Sequence, residues 1–155
     1  MFDLINGLPL HPLVVHAVVV LVPLAALGTI ALALRPAWRH HYGWLVVGAA
    51  ALGTVLDPIA TSSGEALEKH VGDPGQHAAL GDQLIWFLVP LLVLALALVL
   101  LDRRRPHATT ALRAVAVLGV VAALATTVQV YRIGDSGARA AWGDQVSAST
   151  TSGGD

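Results

Sequence analysis

Histidines are the residues of this chain with the clearest capacity for chemistry. The chain has seven histidines and no cysteine, so thiolate catalysis and iron–sulfur ligation are excluded, and any metal ion must be held by His, Asp or Glu. The string HPLVVH runs from His11 to His16, and His77 follows in the middle of the chain. Two imidazoles at a similar depth on different helices can bind haem b, and imidazoles with carboxylates can bind a transition-metal ion.

Four polar residues fall in or beside stretches that are otherwise apolar: Asp57, Asp82, Gln129 and Asp135. An ionisable side chain at the centre of a membrane costs about 2.5 kcal/mol or more, which makes such a residue a candidate functional group. We expect these residues to orient imidazoles through hydrogen bonds or to carry protons.

The elements that must position these residues are four apolar stretches, each long enough to cross a bilayer as a helix. They cover about 13–34, 44–62, 84–101 and 112–130. With 55% hydrophobic and 12% charged residues, the chain of 155 residues is too apolar for a soluble domain. We predict an all-α bundle of four transmembrane helices over 1–142 and a disordered C-terminal tail over 143–155, which has nothing to bury.

Basic residues predict the orientation of the bundle. Six arginines flank one side: Arg35, Arg39, Arg103, Arg104, Arg105 and Arg113. The other side has only Lys69, Arg132 and Arg139. By the positive-inside rule the first side is cytoplasmic, so both termini lie on the non-cytoplasmic side of the membrane. The preference for arginine over lysine, with abundant alanine, valine and leucine, favours a bacterial plasma membrane.

Depth along the helices brings the polar residues into one layer. Counting from the cytoplasmic ends at about 1.5 Å per residue, His16 lies about 27 Å up, and His11 and His77 both lie about 35 Å up. The other groups lie about 20 to 27 Å up by the same count: Asp57, Asp82 and Gln129. We expect a site at the outer end of the bundle, in which His16 and His77 are the first haem or metal ligands and His11 is the substitute.

Each histidine also has a structural interpretation. His11 can be a helix-start residue in solvent, His77 a loop residue, and His16 a hydrogen-bond partner of Asp82. Three further histidines stand beside cytoplasmic arginines: His40, His41 and His107. A solvated basic rim accounts for these three better than a second site for haem or for phospholipid head groups.

Two halves of the chain resemble each other. The word LVPL occurs at 21–24 and 88–91, with a proline inside the first and third spans. Each of these spans ends in a loop of arginine, proline and histidine, and the second helix of each half leads to a Ser-Gly-containing string, SGEA at 63–66 and SGAR at 136–139. The pattern favours a duplicated helical hairpin.

The motifs point away from an enzyme that acts on its own. GDSGA at 134–138 is close to the string around the nucleophile of trypsin-like proteases, but a chain of four helices cannot supply the β-barrel that positions His and Asp there. A net charge of −1 excludes nucleic acid as a partner.

The leading hypothesis is a redox-associated subunit that passes electrons to a partner. One alternative is a small-solute or proton transporter with Asp57 in its path. Four helices are few for such a path unless the protein forms a homo-oligomer. The other alternative is a non-catalytic scaffold subunit.

With HPLVVH near the start and GDSGA after the fourth span, the chain resembles a family of predicted bacterial membrane proteins described only as domain of unknown function number 2231. The resemblance covers nearly the whole chain and keeps these residues: His11, Pro12, Val15, His16, His77, Ser136, Gly137 and Ala138. The chain departs from the family at Ala17 and Val18, which replace Phe-Pro, and at Asp135, which replaces a histidine. Aspartate is a poor axial ligand for haem. Similar domains are joined to Rieske-type iron–sulfur domains, which implies a redox partner outside the cytoplasm.

Overall fold

The computed structural model describes residues 4–5, 8–71, 75–104, 107 and 109–151. Five helices make up nearly all of this part: α1 (Leu10–Leu34), α2 (Pro36–Val71), α3 (Gln76–Asp82), α4 (Ile85–Arg104) and α5 (Thr109–Thr151). A two-residue ribbon precedes them, in which β1 (Leu4–Ile5) pairs antiparallel with β2 (Leu8–Pro9). α1, α2, α5 and the stretch Gln76–Arg104, which contains α3 and α4, are each long and apolar enough to cross a membrane. The predicted all-α bundle of four transmembrane helices is confirmed.

The four long helices form a square. α1 and α4 each pack against both α2 and α5, so α1 and α4 face each other across the diagonal. The middle layer of the core is built largely from alanines, including Ala25, Ala50 and Ala123, which let the helices approach closely. Large aliphatic side chains cover the outside instead, among them Leu27, Leu45, Val55, Val93 and Val117. This inversion is expected where the surroundings are lipid.

The helices extend further than the apolar stretches predict. α2 passes through Pro58 without ending and continues to Val71. α5 continues as a helix to Thr151, into the segment for which the sequence predicts disorder. Between Thr109 and Thr151 the chain contains no proline, so no residue in that interval lacks the backbone N–H that a helix needs. Arg105 and the last residues of the predicted tail, 152–155, lie outside the described part.

One end of the bundle is held together by Arg39, which is buried. Its Nε donates to the carbonyl oxygen of Leu32 at 2.8 Å and its Nη2 to that of Ala33 at 3.3 Å, both in the last turn of α1. Its Nη1 lies 3.1 Å from Oδ1 of Asp102 on α4. Arg39 thus caps α1 and ties the two halves of the chain together. We call this the arginine end, and the opposite end, where α1 begins, the histidine end.

A break between α3 and α4 frees one carbonyl at the histidine end. The backbone N–H of Leu84 donates to the carbonyl of Gly81 at 2.9 Å, three residues back rather than four. The carbonyl of Leu80 therefore loses its usual helical donor. Nε2 of Gln129, from α5, donates to that carbonyl at 2.9 Å. The buried Gln129 fastens the break to the bundle.

Candidate functional site

A cavity of about 640 Å³ opens at the histidine end, between α1, α2, α3 and α5. Its walls are mainly apolar and come from all four elements, for example Val18, Leu67, Ala78 and Ile133. Among the described residues, seven polar side chains share the lining: His11, Asp57, Thr61, Glu65, Glu68, His77 and Asp82. Residues from distant parts of the sequence therefore meet in one ligand-sized space.

His11 is held by the second helix of its own hairpin. Its Nδ1 lies 2.8 Å from the carbonyl oxygen of Ala60 and 3.4 Å from Oγ of Ser63. The ring rests on Gly64, where a Cβ atom would stand 3.1 Å from Cε1. The absence of a side chain at Gly64 makes room for the imidazole.

His77 is held in the same way by α5. Its Nδ1 lies 3.1 Å from the carbonyl oxygen of Ile133, and Ser136 donates to that same carbonyl at 2.9 Å. A Cβ atom at Gly137 would stand 3.0 Å from both Cε1 and Nδ1 of the ring.

We call the carbonyl, serine and glycine that hold each imidazole a histidine seat. The two histidine seats have the same construction. In each, the accepting carbonyl is four residues before the glycine, a serine directly precedes the glycine, and the serine hydroxyl donates to that carbonyl. The glycines belong to the repeated strings SGEA and SGAR. This correspondence supports the hypothesis of a duplicated helical hairpin, since each hairpin supplies one seat.

The two imidazoles face a shared space. Their ring centroids are 6.5 Å apart and the ring planes are nearly perpendicular, at 83°. Because a carbonyl oxygen can only accept a hydrogen bond, Nδ1 of each ring carries the proton. In the neutral imidazole this leaves Nε2 of His11 and of His77 with a free lone pair, the form in which histidine binds metals.

The structure does not bring His16 into this site. Its side chain is exposed, and Nδ1 is hydrogen bonded to the carbonyl of Pro12 in its own helix rather than to Asp82. The expected pairing of His16 with His77 is thus replaced by that of His11 with His77. The depth count ignored rotation: five residues on from His11, a helical side chain points roughly 140° away around the axis.

The predicted acidic and amide residues divide into two groups. Asp57 and Asp82 line the cavity, and Asp57 is only 4% exposed. Gln129 is also buried, but its amide serves the α3–α4 break instead of the cavity. Asp135 lies outside the cavity, where its Oδ2 is 2.9 Å from Nε of the exposed Arg139.

Sequence reasoning missed several residues of the site. Glu65 and Glu68 lie on the extension of α2 beyond the predicted span and line the cavity. From the sequence, Gly64 is named only as a member of a repeated string, and Gly137 as a member of such a string and of the family pattern. A histidine and a Ser-Gly pair recurring together in both halves was the available signal for the seats.

The donor set is small for a bare metal ion. Among the residues whose placement the structure describes, no group of three or more His, Asp or Glu side chains is arranged to hold one. The two imidazoles are therefore the only candidate pair of nitrogen ligands within the described lining.

Comparison with known proteins gives one match. A family model described as a predicted membrane protein, domain of unknown function 2231 (DUF2231), matches residues 7–150. No curated protein and no solved structure matches the chain. Since the matched region covers nearly all of the sequence, this chain belongs to the DUF2231 family of predicted membrane proteins.

Proposed function

We propose that this membrane protein is a redox-associated subunit that binds b-type haem between His11 and His77 and passes electrons to a partner. The observation that carries the proposal is the pair of equivalent imidazoles with hydrogen-bonded Nδ1 atoms and free Nε2 atoms, 6.5 Å apart between centroids. Hydrogen bonds of this kind fix the tautomer and the orientation of a metal-ligating histidine.

The spacing of the rings suits two ligands of one metal. A metal–imidazole nitrogen bond is about 2.0 Å, and a ring nitrogen lies about 1.1 Å from its centroid, so two imidazoles on opposite sides of one ion have centroids about 6 Å apart. The observed separation is close to this value. Perpendicular ring planes do not prevent such an arrangement.

Haem fits this pair better than a transition-metal ion alone. A porphyrin supplies four nitrogen donors itself and needs two axial ligands, whereas a bare ion needs three or more ligands from the protein. The described residues offer the two imidazoles but no group of three. Apolar walls around the pair would also suit a flat hydrophobic ring system.

The setting of this redox chemistry follows from topology. The excess of arginines at the arginine end favours placing that end in the cytoplasm of a bacterial cell and the histidine end, with both termini, on the non-cytoplasmic side. An electron partner would then meet the protein outside the cytoplasm, and the resemblance to chains joined to Rieske-type domains favours an iron–sulfur protein.

An absorption spectrum tests the proposal. The full chain, expressed with ample haem and purified in detergent, should show a Soret band that His11→Ala and His77→Ala each abolish or shift. His16→Ala is the matched control, because His16 lies on the same helix as His11 but outside the cavity, and it should leave the band unchanged. A wild-type protein without bound haem would refute the proposal, and metal analysis of the same sample would show whether an ion binds instead.

Asp57 favours a second candidate function, the transport of a small solute or a proton. A buried carboxylate that opens on a cavity inside a bundle is a typical element of such a pathway. If Asp57→Asn lowers the flux of protons or of a small solute into liposomes, transport is supported. If the flux equals that of the wild type, the transport candidate is refuted. Unchanged flux together with a missing Soret band would favour the scaffold role.

A further inference from the structure

The cavity at the histidine end presents hydrogen-bond acceptors. Nε2 of His11 and of His77 accept, because their Nδ1 atoms already donate to backbone carbonyls. Thr61, the hydroxyl of the lining, donates to the carbonyl of Pro58 at 3.1 Å. The remaining polar side chains that the structure describes here are carboxylates. A ligand that satisfies these groups must bring its own donors.

The charge of the lining has one sign. Four carboxylates, on Asp57, Glu65, Glu68 and Asp82, face the cavity, and the described lining contains no lysine or arginine. Glu65 and Asp82 are exposed, but Asp57 is buried, and an ionised group withdrawn from water needs a compensating charge. The described part of the cavity leaves that charge to a ligand.

Asp57 is the carboxylate of the lining that most needs a positively charged partner. It is 4% exposed and lines the cavity, yet no described residue hydrogen bonds or ion pairs with its side chain. Asp82, the other aspartate of the lining, supplies no positive charge to it. A buried carboxylate in this position is stabilised by a positive group that approaches from the cavity.

The volume of the cavity and its apolar walls favour an organic cation over an inorganic one. The volume of about 640 Å³ lies in the range of pockets for small organic ligands, and Val15, Val18, Val130 and Ile133 contribute apolar walls. An inorganic ion would leave most of this apolar space unused and would find no group of three ligands among the described residues.

We propose that the cavity binds a small organic cation, a protonated amine whose ammonium group donates hydrogen bonds to Asp57 and whose apolar part lies against the valine and isoleucine walls. The proposal deepens the transport candidate by naming a substrate class. It does not depend on haem, because it uses the carboxylates and needs no ligation by the histidines. Haem and the amine would compete for one space.

Binding of phenethylamine to the haem-free full chain in lipid nanodiscs, measured by calorimetry, tests the proposal. Phenethyl alcohol and phenylpropionate have a similar shape but are neutral and anionic. We expect the amine to bind at least tenfold more tightly than either. Equal binding of the amine and the alcohol, or no binding of the amine, would overturn the proposal.

Variants locate the site. Asp57→Asn should weaken amine binding at least tenfold, and Asp82→Asn, at a more exposed position, several-fold. Asp135→Asn is the control, because Asp135 is a carboxylate outside the cavity with its own arginine partner, and it should bind like the wild type. If Asp57→Asn fails to fold, Asp82→Asn alone decides, and wild-type affinity in that variant contradicts the proposal. The haem proposal is tested by a Soret band and the amine proposal by calorimetry on haem-free protein, so the two proposals can fail separately.

Discussion

His11 and His77 come from different hairpins of the chain, and their ring planes are nearly perpendicular, with centroids 6.5 Å apart. Each ring is held by a carbonyl and a glycine on the second helix of its own hairpin, Gly64 for His11 and Gly137 for His77. The geometry of the pair therefore depends on residues that perform no chemistry themselves.

Gly64→Ala and Gly137→Ala test this dependence. Replacing glycine by alanine inside a helix ordinarily stabilises a protein by about 0.5–1 kcal/mol. At these two positions we expect no gain, because the new Cβ atom would push against an imidazole at 3.0–3.1 Å. Gly48→Ala is the control, since nothing lies within 4 Å of its added Cβ, and it should show the gain. Unfolding in mixed detergent and SDS measures all three, and equal stabilisation at all three positions would contradict the seats.

Arg39 should be the most sensitive residue of the arginine end. Arg39→Met removes two hydrogen bonds to the end of α1 and leaves Asp102 without its ion-pair partner. We expect a loss of about 3–5 kcal/mol in the free energy of unfolding, as for other broken buried pairs. Arg35→Met, at an exposed position, should change it by no more than about 0.5 kcal/mol. A loss for Arg39→Met as small as that for Arg35→Met would show that Arg39 acts only as a surface charge.

Gln129 should matter for stability and little for the cavity. Gln129→Leu leaves the carbonyl of Leu80 without its side-chain donor, and a buried unsatisfied acceptor costs about 1–3 kcal/mol. Hydrogen exchange should rise at the amides of Gln83–Ile85, beside the α3–α4 break. Thr127→Val, an exposed position on the same helix, should leave the exchange unchanged. Phenethylamine affinity should stay within a few-fold of wild type in Gln129→Leu.

The orientation can be tested with single cysteines, because the natural chain has none. In intact bacterial cells, Asp135→Cys at the histidine end should react with a membrane-impermeant maleimide. His107→Cys, in the exposed turn at the arginine end, should react only after the cells are lysed. The reverse pattern would place the histidine end in the cytoplasm and remove the argument for an external electron partner.

Much of the fold was predictable because lipid imposes a simple requirement on sequence. Four long apolar stretches had to be helices. A depth count predicts His11 and His77 at one level, and in the structure their ring centroids are 6.5 Å apart. The same count failed for His16, because depth does not tell on which side of a helix a residue lies. Asp57 happens to lie on the side of α2 that faces the cavity, so its side chain lines the cavity.

Interactions with backbone carbonyls were beyond the reach of sequence reasoning. Gln129 was expected to serve the site, but its partner is the carbonyl of Leu80, which is available only because α3 and α4 do not join smoothly. Arg39 was read as one charge among six, although it is buried against the end of α1. Both roles depend on where helices stop, which apolar periodicity alone determines poorly.

The carbonyls of Ala60 and Ile133 sit inside helices, where each already accepts from the N–H four residues later, the N–H of Gly64 and of Gly137. Each oxygen also accepts from the hydroxyl of the serine before that glycine, so the imidazole shares the oxygen with the helical N–H and the serine. Holding a ring in this way uses a glycine one turn beyond the acceptor, the serine before that glycine and a neighbouring helix that begins nearby. Such a module could be transplanted into an unrelated helical scaffold by exchanging a few side chains, without redesigning its backbone.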